Sequence, residues 1–327
     1  MKGIKIKVVQ GDAFTIQADV LGMKYAQQAH GLDRDVIREL SLKDSEIESK
    51  LPKLWGFFFG KSMDVVSASH VIFIGTPTLR EFGYKEIREF GRKLIASLAS
   101  SKPDTKKLVL TIHGPGYGLD EIEAFESQIA GIVDSISSDD YPEELVEIVF
   151  VERSSGRAKR LSLFLKSLFP ENIIPTSKTG GIKSLKAEST ESLRSAGYES
   201  ASKKKIFVAM PFAQEFDDIF HYGIQGAVNS AGYLCERADL ESFTGDVMEW
   251  VKKRIESAEL VIADLSSANP NVYLEVGYAW GKGKKTVLII DDTKQLKFDT
   301  RGQRCITYKR IKDLEESLTA ELKKLNI

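Results

Sequence analysis

The chain is poor in the features that mark several protein classes. Its 327 residues include two cysteines, Cys235 and Cys305. They stand far apart, with no CxxC pair and no His/Cys cluster. Neither a disulfide scaffold nor a metal site is expected, and the pattern fits a reducing, cytoplasmic compartment. No apolar run approaches the roughly 20 residues of a membrane-spanning helix, so no membrane partner is expected. The opening MKGIKIKVVQGD alternates charged and apolar residues and lacks the apolar centre of a signal peptide. Charge of one sign is missing too. Lys and Arg number 46 against 47 Asp and Glu, a formal net charge of -1. No global field therefore attracts nucleic acid, and no nucleic-acid partner is expected.

What is present is ordinary material for two cores. Hydrophobic residues make up 42% of the chain, and the length suits about two domains. The clearest break is the Ser-, Thr-, Gly- and Lys-rich stretch FPENIIPTSKTGGIKSLKAESTESLRSAGYESASKKK. Its composition buries little apolar surface, so it reads as a linker, with a short helix compatible around Leu185–Leu193. The expected division is 1–170, a linker 171–204, and 205–327.

Both halves read as α/β. In the second, IFVAM, YLCER, LVIADL and KTVLII are short apolar strands. They alternate with helical patterns at 217–232, 245–258 and 269–283 and with IKDLEESLTAELKKL. That alternation predicts a doubly wound parallel sheet covered on both faces. In the first, IKIKVVQGD, DVLGMKYA, SHVIFIGT, KLVLTIHG and LVEIVFVER read as strands. YKEIREFGRKLIASLAS, DEIEAFESQIAGIVDSI and GRAKRLSLFLKSL read as helices. The aromatic cluster in PKLWGFFFGKSMDVV is expected to lie in the core or at a subunit contact.

The informative carboxylate is Glu275, inside NPNVYLEVGYAWGKG. Ligands of open parallel sheets bind beyond the carboxyl ends of the strands. Met210, Pro211 and Phe212 follow one such strand. Asp264 ends another, and Asn269 can cap the next helix with Pro270 at its first position. Asn271, Glu275 and Tyr278 then share one face. From the residues alone, Glu275 is either the partner of a nearby Lys or Arg or a working acid at a pocket edge.

The pattern MPF, GIQGAV, AGY, RAD and then GDVMEWVKKRIESAELVIADLSSANPNVYLEVGYAWGKGKKTVLIIDD resembles the nucleoside 2-deoxyribosyltransferase-like superfamily. It is especially similar to the bacterial branch that grades into Toll/interleukin-receptor-like domains. The likeness covers about residues 205–310. It implies that Glu275, matching the Glu of an E-x-G-x-A element, is a catalytic carboxylate acting at the anomeric carbon of a nucleoside or nucleotide. It implies a substrate site drawn from Met210, Pro211, Phe212, Asp239, Asp246, Asp264, Asn269 and Asn271, with Tyr278 on the face of Glu275. Asn-Pro-Asn stands where the transferases often carry Asp-x-Gly-Thr. The expectation is therefore cleavage of an N-glycosidic bond, NAD included. The alternatives are a deoxynucleoside monophosphate glycosidase or deoxyribosyltransferase of salvage, and a non-catalytic nucleotide-binding regulator.

In the first half, VVQGDAFTIQADVL and LTIHGPGYGLDEIEA carry the signal. Gly114, Gly116 and Gly118 lie between a strand and a helix. There they either cradle a phosphate or make a tight connection. Together these pieces resemble a macro domain, over most of residues 1–168. That implies a three-layer α/β fold binding an ADP-ribose-type ligand through Gly11, Asp12, Gly114, Gly116, Tyr117 and Gly118. The two resemblances imply a nucleotide-sensing module joined to a nucleotide-cleaving one. By analogy this is an antiphage effector, acting as a homo-oligomer on a small-molecule nucleotide and without a cofactor.

Overall fold

The computed structural model describes residues 3–79, 81–177, 181–200, 202–237, 247–292 and 305–325. The chain divides into two compact units. One comprises Met1–Pro115 with Glu121–Ala201, the other Gly116–Asp120 with Ser202–Ile327. Both are α/β.

The first unit runs β1 (Ile4–Gln10), β2 (Ala18–Tyr25), α1 (Leu32–Ser41), α2 (Ile47–Lys50), β3 (Phe57–Lys61) and β4 (Ala68–Gly75). It continues with α3 (Tyr84–Ser101), β5 (Lys107–Thr111), α4 (Glu121–Ser137), β6 (Glu147–Glu152), α5 (Ser155–Leu168), β7 (Ile173–Ile174) and α6 (Ala187–Ser195). The sheet order is β3-β4-β2-β5-β6-β1-β7. The inner pairings are parallel, whereas β3 on β4 and β7 on β1 are antiparallel. Successive strand side chains point to opposite faces, which sorts the core into layers. Leu21, Met23, Val71, Phe73 and Val149 pack with Val36, Ile37, Leu40 and Ile47 from α1 and α2. On the other face Phe150 meets Phe125 of α4 edge-on at 5.0 Å, and Phe125 meets Phe164 of α5 at 6.3 Å. The result is helix, sheet, helix. The aromatic cluster is the edge strand β3, with Phe58 against Phe73 and Phe59 stacked on His70.

Of the stretch 171–204, expected to be a linker, the part up to 201 counts with the first unit and carries β7 and α6. Polar contacts hold it where apolar ones are scarce. Arg88 of α3 donates to Asp134 of α4 at 2.7 and 2.8 Å and to the carbonyls of Leu193, Arg194 and Ala196. These carbonyls are among the last of α6, which have no partner inside the helix. Gly197 ends the helix at φ +80°. A Cβ there would approach the Tyr84 carbonyl oxygen to 3.0 Å.

The second unit runs β8 (Lys205–Ala209), a π turn (Ile219–Gln225) leading into α7 (Gly226–Ser230), β9 (Leu234–Arg237), α8 (Val247–Ser257) and β10 (Leu260–Asp264). Then come α9 (Pro270–Gly281), β11 (Lys285–Ile290), β12 (Cys305–Thr307) and α10 (Ile311–Leu325). All its pairings are parallel, in the order β12-β11-β10-β8-β9. Ile206, Val208, Ile262 and Ile289 pack with Phe220, Ile224, Leu314 and Leu318. Phe207, Ala209, Ala263 and Leu288 pack with Val251, Ile255, Val272 and Val276. The π turn, α7 and α10 thus cover one face, and α8 and α9 the other. Strand order reverses at β8, so the crevice beyond β8 and β10 is the switch point where such sheets take ligands. Among the described residues no helix is long and apolar enough to cross a membrane.

Candidate active site

The turn from β10 to α9 is built before the helix begins. Ser267 and Ala268 both have left-handed backbones, φ 60° and 49°. Each costs about 1–2 kcal/mol for a residue with a Cβ. Asn269 then caps α9, its side chain accepting from the Asn271 N–H at 2.9 Å, and Pro270 takes the first helical position. Ala268→Gly is expected to stabilise the chain by about 0.5 kcal/mol, the relief of strain less the extra freedom glycine gives the unfolded state. Urea denaturation measures it.

Parallel β10 and β11 flank α9, so the helix starts at the carboxyl edge of the sheet and runs away from it. Glu275 comes five residues after Pro270, about 7.5 Å along the axis. Helical Cα–Cβ bonds lean toward the helix start, which here is the carboxyl edge. Val272, Val276 and Ala279 form the buried stripe. Glu275 is three residues after Val272 and four before Ala279, so it borders that stripe and is half-buried.

Glu275 makes no hydrogen bond or ion pair with any of the described residues. Burial alone pushes its carboxyl from 4.5 up to about 7. The cations of neighbouring α8 are engaged elsewhere. Arg254 pairs with Glu236 at 2.6 Å, Lys253 with Glu249 at 3.8 Å, and Lys252 lies over the Tyr278 ring. Lys282, one residue past α9, pairs with Glu256 at 2.6 Å. The ion-pair alternative open in the sequence finds no partner among the described residues.

The other expected substrate residues that the structure describes lie on several elements of this unit. Tyr278 donates to Glu256 of α8 at 2.6 Å, so the flank of α9 that also carries Glu275 faces α8. Asn271 is exposed. Met210 and Pro211 are buried, and Phe212 stands 43% exposed. Ala209 pairs with Ala263, so Met210 and Asp264 each follow by one residue at the carboxyl edge. Asp264 is fully buried. Its carboxylate accepts from the Ser266 N–H at 3.0 Å and from the Tyr308 hydroxyl at 3.1 Å. Burial raises its pKa, against those two hydrogen bonds. By strand alternation Asp264 points with Ile262 to the α10 face, whereas Glu275 belongs to the α9 face. Asp239 and Asp246 lie outside the described residues.

Two side chains in this region escaped the sequence reading. Arg237 ends β9, with its guanidinium 4.1 Å from the Phe220 ring centre and 5.6 Å from that of Phe212. A basic residue closing a strand at the ligand edge was the available signal. Tyr308 gave none, because 44 residues separate it from Asp264.

In the first unit the Gly11 N–H donates to the Glu152 carbonyl at 3.0 Å. Asp12 accepts from the Phe14 N–H at 3.0 Å and pairs with Arg153 at 3.2 Å. Gly114 also belongs to this unit, whereas Gly116, Tyr117 and Gly118 count with the second. Within the second unit a Cβ on Gly118 would lie 2.6 Å from the Arg237 carbonyl oxygen and from Trp250. That close approach fits the tight-connection alternative, and the residue's φ of +80° also favours glycine. The first unit buries a Lys24–Asp33 ion pair at 2.6 Å. His113 is buried too, its Nε2 without a hydrogen-bond partner, and burial holds its pKa well below the usual range. No group of three or more His, Cys, Asp or Glu among the described residues is placed to hold a metal ion.

No protein-family model matches the chain, and no curated protein does. Solved structures do match. A Clostridium botulinum CMP N-glycosidase, BcmB, is similar at 18% identity, over 36% of this chain and 99% of that one, with a TM-score of 0.31. A Trypanosoma brucei macrodomain in complex with ADP is similar at 15% identity, over 49% of this chain and 69% of that one, at 0.40. An Oceanobacillus iheyensis macrodomain with MES bound is similar at 15%, over 50% and 92%, at 0.39.

Proposed function

We propose that the second unit cleaves the N-glycosidic bond of a nucleotide, NAD among the substrates, with Glu275 as the catalytic carboxylate. The observation that carries this reading is a half-buried acid, without a partner among the described residues, in the helix that starts at the carboxyl edge of a parallel sheet. A carboxylate held out of water without a counter-charge stabilises positive charge growing on a substrate more than it would in solution. When the bond from the sugar C1′ to the base breaks, the electron pair leaves with the base and C1′ becomes cationic. The ionised Glu275 then closes on C1′, and water later releases the sugar. Nicotinamide needs no proton to leave NAD, because its ring nitrogen already carries the positive charge that the bonding pair neutralises.

The loop Met210–Phe212 and the cap Asn269 are proposed as substrate contacts that act together with Glu275. The first unit is proposed to bind a nucleotide-derived ligand of the ADP-ribose type that sets the activity of the second. Assembly into a homo-oligomer and a role in antiphage defence belong to the same proposal.

The test is incubation of the full chain with NAD, ATP and deoxynucleoside monophosphates, with and without ADP-ribose, followed by chromatography for free base. Release from at least one substrate is expected. No release under any condition would overturn the enzymatic reading and leave a nucleotide-binding regulator. Glu275 must be ionised to act. Its carboxyl sits at about 7, so kcat/KM should rise with pH and level off above about 7. A profile flat from about pH 5 to 9 would remove Glu275 from the rate-determining chemistry.

A further inference from the structure

The carboxyl ends of three strands are tied together beneath the turn that launches α9. Tyr308 follows β12 directly, and its N–H donates to the Ile290 carbonyl of β11 at 3.1 Å. Its side chain is buried and reaches across to Asp264 at the end of β10, at 3.1 Å. The Ser266 hydroxyl, also buried, accepts from the Asp291 N–H just past β11 at 3.1 Å and lies 3.4 Å from the Tyr308 hydroxyl. The Leu265 N–H donates to the Ile289 carbonyl at 2.9 Å. Ser267 and Ala268 come next, in the costly left-handed conformation, and then the Asn269 cap. A turn of two such residues persists only when its surroundings fix it. Here the fixing groups are Asp264, Ser266 and Tyr308.

We infer that Tyr308 is a positioning residue for Glu275, acting through the Asp264 carboxylate and the Ser266 turn to hold the start of α9. The inference rests on the reading of Glu275 as the catalytic acid. It gives Asp264 a structural task in place of substrate contact, in keeping with its complete burial. Burial and the Asp264 charge both push the Tyr308 phenol up, so it keeps its proton and donates to Asp264 throughout the working range. Tyr308→Phe keeps the ring in the core and deletes only the hydroxyl. The Asp264 oxygen it served is then left without that donor, and the turn loses its tie to β12. Glu275, a turn and a half along the helix, shifts with the start of α9, and small displacements of a reacting group are costly.

The experiment compares the full chain with Tyr308→Phe and, separately, Ser266→Ala. Two quantities are read: kcat and KM for base release, and the midpoint at which the Glu275 carboxyl titrates by 13C NMR. Tyr308→Phe is expected to lower kcat about tenfold with KM within about twofold. It should also lower the Glu275 midpoint by about one pH unit, as water gains access. Ser266→Ala should move both the same way by less, and it decides the matter if Tyr308→Phe does not fold. Folded variants that lose thermal stability but keep the wild-type kcat and midpoint would overturn the inference while leaving the glycosidase reading intact. If the wild-type chain releases no base, that reading fails. The titration then decides alone, and an unchanged midpoint in a folded variant overturns the positioning role.

Discussion

Replacing Glu275 by Gln is expected to cut base release by at least about a thousandfold and to raise stability at about pH 8. The first effect follows from removing the charge proposed to meet C1′. The second follows from linkage. The Glu275 carboxyl titrates near 4.5 when exposed and at about 7 in the fold. Below about 4.5 the group is protonated in both folded and unfolded chains, and Glu and Gln differ little. Between 4.5 and about 7 the folded chain holds a proton that the unfolded chain has released, so the native protein loses stability as pH rises. Above about 7 the whole cost of an unsolvated charge is present, and glutamine carries none of it. The shift corresponds to about 3 kcal/mol. Solvent still reaching a half-buried carboxylate reduces the expected gain to about 1–2 kcal/mol. Urea denaturation at about pH 4 and pH 8 separates the cases. A Gln variant less stable than wild type at about pH 8 would reveal a structural partner for Glu275. Gain of stability with loss of turnover is the mark of a group kept for function.

Arg88→Ala is the other large effect, an expected loss of about 3–5 kcal/mol in the first unit. The side chain is buried, forks onto both oxygens of Asp134, and spends its remaining nitrogen on three carbonyls at the end of α6. Its guanidinium also lies 4.3 Å from the Tyr198 ring centre. Removing it leaves a carboxylate without its partner and the last carbonyls of α6 without a donor. Lysine does not replace it, because one ammonium cannot face both groups at once. The readout is the urea midpoint of the first unit, together with trypsin cleavage after Lys186 and Arg194. A variant with an unchanged midpoint and unchanged protection would mean that α6 is held by its few apolar contacts, such as Leu193 and Ala196.

The same segment shows where sequence pattern stops being informative. LRSAGYES contains Gly197 where a helix would end, yet the charge that stabilises that end comes from Arg88, more than a hundred residues earlier. A Ser- and Lys-rich composition reads as linker because apolar burial is the only term composition can count. The α/β alternation was legible for the opposite reason, since runs such as IFVAM, LVIADL and KTVLII announce buried parallel strands directly. Strand β12 was missed because three residues carry no periodicity, and its place is set by pairing to β11. The run 217–232 has helical spacing, but it folds as a π turn followed by a short α-helix. Apolar spacing alone does not separate the two.

At the site, the position of Glu275 was legible and its isolation was not. Lys252, Lys253 and Arg254 all lie on the adjacent helix, and nothing in their spacing says that each takes another partner. The place of Asp264 at a strand end was legible, and the resemblance implied a substrate contact for it. Its hydrogen bond to Tyr308 was not legible, because no local pattern connects the two.

The most direct test of this account is the 13C titration of the Glu275 side chain, assigned by comparison with Glu275→Gln. A single midpoint near 7 is predicted, because burial without a counter-charge is what sets it. A midpoint at about 4.5, the value of the exposed group, or below it, as for an ion-paired one, would contradict the central claim that the fold holds this acid unpaired and ready to act.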